Sequence, residues 1–246
     1  APARAVPAPL SASALSSAAA GGAPRAPPKK LVFLGTPEVA AAVLARLLKA
    51  AGEEGARFEV AAVVTQPPAV KGRRRAVPTP SAVHQAVIDW NDGGRVEGEV
   101  IPVMTPVKAS EEGFLEALRG LEPDVCVTAA YGNILPDAFL AIPRGGTLNI
   151  HPSRLPEWRG AAPVPRAIEA GVRVSAVTVA ETVRKLDAGP VVDVVEYEFG
   201  EDEDAMEALE RMFEIGAGRL VEVVLPRLFA ELDGEVGEGG KKGLER

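Results

Sequence analysis

Two short apolar runs joined by an amphipathic stretch constrain this chain more than anything else in it. Leu31-Val-Phe-Leu34 is apolar throughout, as suits a strand buried on both faces of a parallel sheet, and Phe58 to Thr65 reads as a second strand through Val60, Val63 and Val64. Between them, Glu38 to Lys49 has helical spacing. A strand, a crossover helix and a second strand pack with parallel strands and a right-handed connection. The turn is Gly35-Thr-Pro37, where Thr36 is placed to cap the helix and Pro37 to take its first position. One glycine is not the repeated-glycine loop that cradles a dinucleotide, so that function is set aside.

The remaining pattern continues the alternation. Ser81 to Trp90 reads as a helix carrying His84 beside Val87 and Ile88 in a structural role, followed by a turn-rich Asn91 to Glu99 and a short strand at Val100-Ile-Pro-Val103. Ser110, with Glu111 and Glu112 in the first turn, opens a helix to Leu118. Asp124 to Ala130 is nearly continuous apolar, as a central parallel strand should be. Further strands are expected at Thr147 to His151 and Val174 to Val179. A long helical pattern then runs from Glu201 to Leu228, with Met206, Leu209, Phe213, Leu220, Val224 and Leu228 on its core side. The expected fold is α/β, a doubly wound, mostly parallel sheet over residues 30 to 233, followed by a Gly-rich tail, 234 to 246.

Composition adds three bounds. The hydrophobic share is 47%, yet no window approaches the roughly 18 consecutive apolar residues of a membrane span, so no membrane partner is expected. The single cysteine, Cys126, excludes an internal disulfide and suits a small buried side chain. Residues 1 to 29 are rich in Ala, Ser and Pro, carry Arg4, Arg25 and Lys29, and contain no acid. That is the composition of a disordered leader of organelle-transit type, pointing to chloroplast or mitochondrion. No His/Cys/Asp cluster has metal-ligand spacing, so no metal is expected. A monomer is expected.

In a chain of net charge -7, Lys71-Gly-Arg-Arg-Arg75 puts four positive charges into five residues, bracketed by Pro67, Pro68, Pro78 and Pro80. Such a run is either a solvated loop or a grip on phosphates, whose binding weakens with salt. In Thr147-Leu-Asn-Ile-His151 the alternation puts Thr147, Asn149 and His151 on one face of a strand that Pro152 ends. Ligands of open α/β sheets bind at that C-terminal edge. Asn-x-His there is either a set of local hydrogen bonds or an amide donor beside an imidazole that exchanges protons near neutrality.

The longer window Asn149-Ile-His-Pro-Ser-Arg-Leu-Pro-Glu-Trp-Arg-Gly-Ala-Ala-Pro163 resembles the active-site segment of the folate-dependent formyltransferases. Its Trp158-Arg-Gly-Ala-Ala-Pro run, with Phe33-Leu-Gly-Thr-Pro37, Gln66-Pro67, Tyr131-Gly-Asn-Ile-Leu-Pro136 and Lys185-Leu-Asp-Ala-Gly-Pro190, is most similar to the methionyl-tRNA formyltransferases. The resemblance covers most of residues 30 to 233. It implies formyl transfer from 10-formyltetrahydrofolate, a reduced folate, to the amino group of initiator methionyl-tRNA. Asn149 and His151 would serve the tetrahedral oxyanion and the proton, with Asp187 orienting the imidazole. Tyr131, Gly132, Ile134, Leu135, Ser153, Arg154, Leu155 and Pro156 are expected to line the folate site. Lys71, Arg73, Arg74, Arg75, Trp158 and Arg159 are expected to meet tRNA.

Three departures accompany it. Arg154 replaces the family's leucine, and either faces solvent or meets the glutamate tail of the folate. Pro68 and Ala69 stand where an acidic and a basic residue are usual. The family carries a further C-terminal β-barrel that residues 234 to 246 cannot supply, which reads as a truncated form, a fragment or a differently built relative. Two other functions are carried alongside: formyl transfer to a small amine such as glycinamide ribonucleotide or an amino sugar, and a catalytically idle folate-binding domain.

Overall fold

The first structural unit, seen in a computed structural model that describes residues 27–70, 77–93 and 100–234, is the expected one: β1 (Lys29–Gly35), α1 (Glu38–Ala51) and a parallel β2 (Phe58–Val64). Val39, Ala40, Val43, Leu44, Leu47 and Leu48 recur at helical spacing and are buried against the sheet. Chain order continues through α2 (Ala82–Asp92), β3 (Val103–Met104), α3 (Glu112–Leu121), β4 (Val125–Ala129), α4 (Asp137–Leu140), β5 (Thr147–His151), α5 (Pro163–Glu169), β6 (Val174–Glu181) and β7 (Val191–Glu198). It closes with α6 (Ala205–Arg219), one π-helical turn (Leu220–Val224) and α7 (Leu225–Leu232).

Seven strands form one sheet in the order β3-β2-β1-β4-β5-β6-β7. Only β6 runs against the others, pairing antiparallel with β5 and with β7. Two apolar clusters cover the faces. On one, Leu31, Phe33, Val127, Leu148, Ile150 and Val177 meet α1, α6 and α7; on the other, Val32, Leu34, Ala62, Val64 and Cys126 meet α3 and α4 through Leu115, Leu118 and Phe139. No residue of β5, β6 or β7 belongs to the second cluster. The polar face of β5 is therefore left to loops.

Several local expectations change. Thr36 does not cap α1: Pro37 holds the extended cap position, and the Thr36 hydroxyl donates instead to the Tyr131 carbonyl at 2.8 Å. Ser81, by contrast, caps α2, accepting from the His84 amide. Ser110 does not open α3; Glu111 takes the cap position, its carboxylate accepting from the Lys108 amide. β1 starts at Lys29, taking one residue from the expected leader, because its pairing with β2 continues to Lys29 opposite Phe58. Residues 1–26, 71–76, 94–99 and 235–246, with most of the leader and the whole basic run, lie outside the described residues.

The C-terminal helix is interrupted. Pro226 lacks an amide and its ring crowds the carbonyl one turn back, and the chain meets this with the wider turn at Leu220–Val224. Met206 is not on the core side. The stripe that faces the sheet is Ala208, Met212, Phe213, Gly216 and Ala217, leaving Met206 59% exposed. Gly216 lets α6 approach closely, since a Cβ there would lie 2.5 Å from Ile150 Cγ2 on β5. β7 was not anticipated; its Asp193, Glu196 and Glu198 interrupt an otherwise apolar run on an edge strand, where charges are tolerated.

Candidate active site

Because β4 and β5 are parallel neighbours, their C-terminal ends open on the same sheet edge, where a cavity of about 730 Å³ lies. Its walls are Tyr131, Gly132, Ile134 and Leu135 after β4, Asn149 and His151 on β5, and Leu155 and Gly160 beyond it. Thr182, Leu186 and Asp187 come from the loop between β6 and β7. The lining is mainly apolar with a few convergent polar groups, in the size range of small-molecule sites.

Asn149 sits opposite Thr128 in the β4–β5 register, so their side chains share a face. The Thr128 hydroxyl donates to Asn149 Oδ1 at 2.8 Å. His151 is 6% exposed. Its Nε2 lies 3.3 Å from the Trp158 carbonyl, which can only accept, so Nε2 carries the proton and Nδ1 of the neutral ring keeps a lone pair. That Nδ1 faces Asp187 Oδ2 at 3.9 Å. Burial pushes the imidazole below the usual histidine range; the Asp187 carboxylate and the Trp158 carbonyl pull it back, and the Arg166 guanidinium opposes them. The ring is held neutral with a base facing the carboxylate.

Asp187 reaches this position on a folded-back loop. Gly189 packs so closely on β6 that a Cβ would lie 1.8 Å from the Glu181 carbonyl oxygen, which only glycine permits. Asp187 itself has φ 46°, and its Oδ2 accepts from the Gly160 amide at 2.7 Å. Ala130, Trp158 and Ala162 also have left-handed backbones. Ala130, Ala162 and Asp187 line the cavity, and Trp158 supplies the carbonyl against His151, so four of the five non-glycine residues with positive φ among those described surround the site.

The other expected residues divide. Leu155 lines the cavity, but Ser153, Arg154 and Pro156 do not. Ser153 is buried, its hydroxyl donating to the Glu157 carbonyl at 2.7 Å. Arg154 turns to β7 and pairs with Glu196 at 2.7 Å, a partner hidden from sequence because it lies 42 residues away. Trp158 is partly buried against the main core with the Arg166 guanidinium 6.0 Å from its ring centre, whereas Arg159 is exposed. Lys71, Arg73, Arg74 and Arg75 lie outside the described residues, and on either side of them Ala69 and Thr79 exchange backbone hydrogen bonds of 3.1 Å. The described segment Thr65 to Val70 leaves the C-terminal end of β2, at the same edge as the cavity.

Three residues were missed. Thr128 fixes Asn149. Thr178 donates to the Ser153 carbonyl at 2.7 Å and accepts from the Leu155 amide at 3.2 Å, shaping the loop after β5. Arg166 donates to the Trp158 carbonyl at 3.0 Å and the Arg159 carbonyl at 2.7 Å, holding the acceptor that His151 uses. The available signal for Thr128 was a lone hydroxyl inside an apolar strand run, whereas Thr178 shares β6 with Ser175 and carries no such mark. Among the described residues no group of His, Cys, Asp and Glu could hold a metal, and no helix is long and apolar enough to cross a membrane.

A family model described as formyl transferase matches residues 29–224. The chain is 37% identical over 203 residues to methionyl-tRNA formyltransferase of Halalkalibacterium halodurans, covering 82% of this chain and 59% of that protein. Against the Rhodococcus erythropolis protein of the same name it is 43% identical over 201 residues, covering 82% and 60%. The chain thus spans about three fifths of the length of the curated relatives it matches. Among solved structures, phosphoribosylglycinamide formyltransferase from Anaplasma phagocytophilum superposes with TM-score 0.65 at 19% identity, covering 82% of this chain and 87% of that one. A formyltetrahydrofolate deformylase from Pseudomonas syringae gives TM-score 0.61 at 23% identity, covering 85% and 63%. These two likenesses speak for the fold alone.

Proposed function

The chain belongs to the formyl transferase family, and we propose that it transfers a formyl group from 10-formyltetrahydrofolate to the amino group of methionyl-tRNA. One observation carries the chemistry: Asn149, His151 and Asp187, from β5 and a loop 36 residues further on, line a single cavity. The names of the relatives support the acceptor. The cavity fits a reduced folate in size and in its mainly apolar lining, and Tyr131, Gly132, Ile134, Leu135 and Leu155 would hold it. Bound there, the folate supplies the formyl carbon.

The protein's own groups divide the remaining work. Asn149 keeps Oδ1 on Thr128 and offers its amide N–H to the oxygen that gains charge as the amine attacks. His151, neutral and with Nδ1 unprotonated, takes a proton from the attacking amine and returns it to the folate nitrogen as the bond from that nitrogen to the formyl carbon breaks and tetrahydrofolate leaves, and Asp187 stabilises the imidazolium in between. The basic run in the sequence between Ala69 and Thr79 supplies cations for the acceptor's phosphates, with Arg159 a further exposed cation beside Gly160 of the cavity wall. The leader's composition supports an organelle and its translation initiation as the setting.

The test is single-turnover formyl transfer by the full chain with methionyl-tRNA, free methionine and glycinamide ribonucleotide as rival acceptors. We expect product on methionyl-tRNA alone, at a rate that falls with salt and on Arg73→Ala, and loss of about a hundredfold or more for His151→Ala. Transfer to a small amine, or folate binding without transfer to any acceptor, refutes the proposal. Fusing residues 1–29 to a fluorescent protein tests the organelle; a cytosolic signal refutes it.

A further inference from the structure

We propose that Thr128 is a positioning residue, whose hydroxyl sets which end of the Asn149 amide faces the reacting centre. The inference rests on the formyl-transfer reading and goes beyond it. Thr128 lies in β4, where the sequence is otherwise Val125-Cys-Val127 and Ala129, so a hydroxyl in this run must find a partner or stand as a buried unpaired group. It has two acceptors within reach, Asn149 Oδ1 at 2.8 Å and the Leu148 carbonyl at 3.4 Å. One proton serves one good bond, and the shorter goes to Asn149.

The consequence follows from the planar amide. Oδ1 and Nδ2 occupy opposite branches of one sp² group, and the torsion that exchanges them is soft and roughly two-fold. With Oδ1 held toward β4, Nδ2 is the end left to the cavity that Asn149 lines. In the reverse orientation Nδ2 would donate to the Thr128 oxygen, whose proton would turn to the Leu148 carbonyl, and Oδ1 would face the developing negative charge. That orientation repels what the site must stabilise. Thr128 acts by excluding it, and the parallel register that pairs Thr128 with Asn149 places the hydroxyl where it can.

Thr128→Val keeps the shape and removes the proton, and Thr128→Ser restores it. Both are compared with wild type in formyl transfer to methionyl-tRNA and by NMR of the Asn149 side-chain amide, assigned by its loss in Asn149→Ala. Losing an oxyanion donor outright costs about 10²- to 10³-fold, so one that only misorients part of the time should cost about tenfold. We expect Thr128→Val to lower kcat about tenfold with KM for 10-formyltetrahydrofolate within twofold, and to shift or broaden the amide signals. Thr128→Ser should recover both. Unchanged kcat together with unchanged amide signals in Thr128→Val overturns the proposal. If wild type transfers to no acceptor while the amide signals respond to Thr128→Val but not to Thr128→Ser, the positioning stands and the formyl-transfer reading falls.

Discussion

Gly216 and Gly218 lie two residues apart in α6, and replacing each by alanine should move stability in opposite directions. In a helix interior the change contributes about 1 kcal/mol of helix propensity. At Gly218 the added Cβ would meet only Arg46 Nη2 at 3.7 Å, the far end of a flexible side chain. Most of the gain should therefore survive, about 0.5–1 kcal/mol. At Gly216 the same atom would lie 2.5 Å from Ile150 Cγ2 and 3.0 Å from Val177 Cγ1. Carbon pairs prefer roughly 3.5–4.0 Å, and both neighbours are buried, β-branched and short of room to rotate. Overpacking of this kind costs about 1–3 kcal/mol, and set against the propensity gain it leaves Gly216→Ala less stable by about 1 kcal/mol, and by at most about 2 kcal/mol. The two variants should differ by about 2 kcal/mol, about 1 M in urea midpoint for a chain whose m-value is about 2 kcal/mol/M. Ile150 stands between Asn149 and His151, so Gly216→Ala should also slow formyl transfer while Gly218→Ala does not. Equal midpoints, or a stabilised Gly216→Ala, would refute the argument that α6 rests on β5 through this glycine.

Burial and pairing set three further outcomes. His151 has a folded-state pKa below the usual 6.5, so the unfolded chain takes up its proton first as the pH falls. The stability tied to the neutral ring is complete above 6.5 and is lost below it; a denaturation midpoint that falls from pH 8 to pH 5.5 less in His151→Gln than in wild type checks this, and an NMR titration of His151 above 6.5 contradicts it. Burial pushes the Cys126 thiol far up, so native protein should resist a maleimide at pH 8 and react only when unfolded, with prompt native labelling the contrary result. Arg154→Leu removes a partly exposed pair with Glu196, and should change stability by less than about 1 kcal/mol and leave the KM for 10-formyltetrahydrofolate unaltered; a severalfold rise in that KM would return Arg154 to the folate site.

The sheet was readable from sequence wherever burial on both faces wrote an apolar run, continuous at Leu31 to Leu34 and nearly so at Asp124 to Ala130, and β7 was not, because an edge strand admits acids that break the run. Within the site, Asn149 and His151 were visible through the two-residue period of β5. Asp187 needed the family's Leu-Asp-x-Gly motif, since nothing local says that a loop will fold back over β6. The residues that orient them left weaker traces. Thr128 and Thr178 act through strand register, and Arg166 through carbonyls of a loop whose shape depends on left-handed residues at Trp158 and Ala162. Met206 was misplaced because six apolar residues over 28 fit more than one helical stripe, and only packing against Ile150 and Val177 selects the real one.

The tie between Ala69 and Thr79 has a consequence for how such a protein diversifies. A segment whose two ends are already joined by 3.1 Å backbone hydrogen bonds transmits little of its own variation to the strands it leaves. Its length and charge can drift, or be exchanged wholesale for another lineage's version, while β2 and Gln66 stay in place against the Tyr131 carbonyl. Under the acceptor reading proposed above, preference among acceptors becomes a graftable trait, separable from the chemistry.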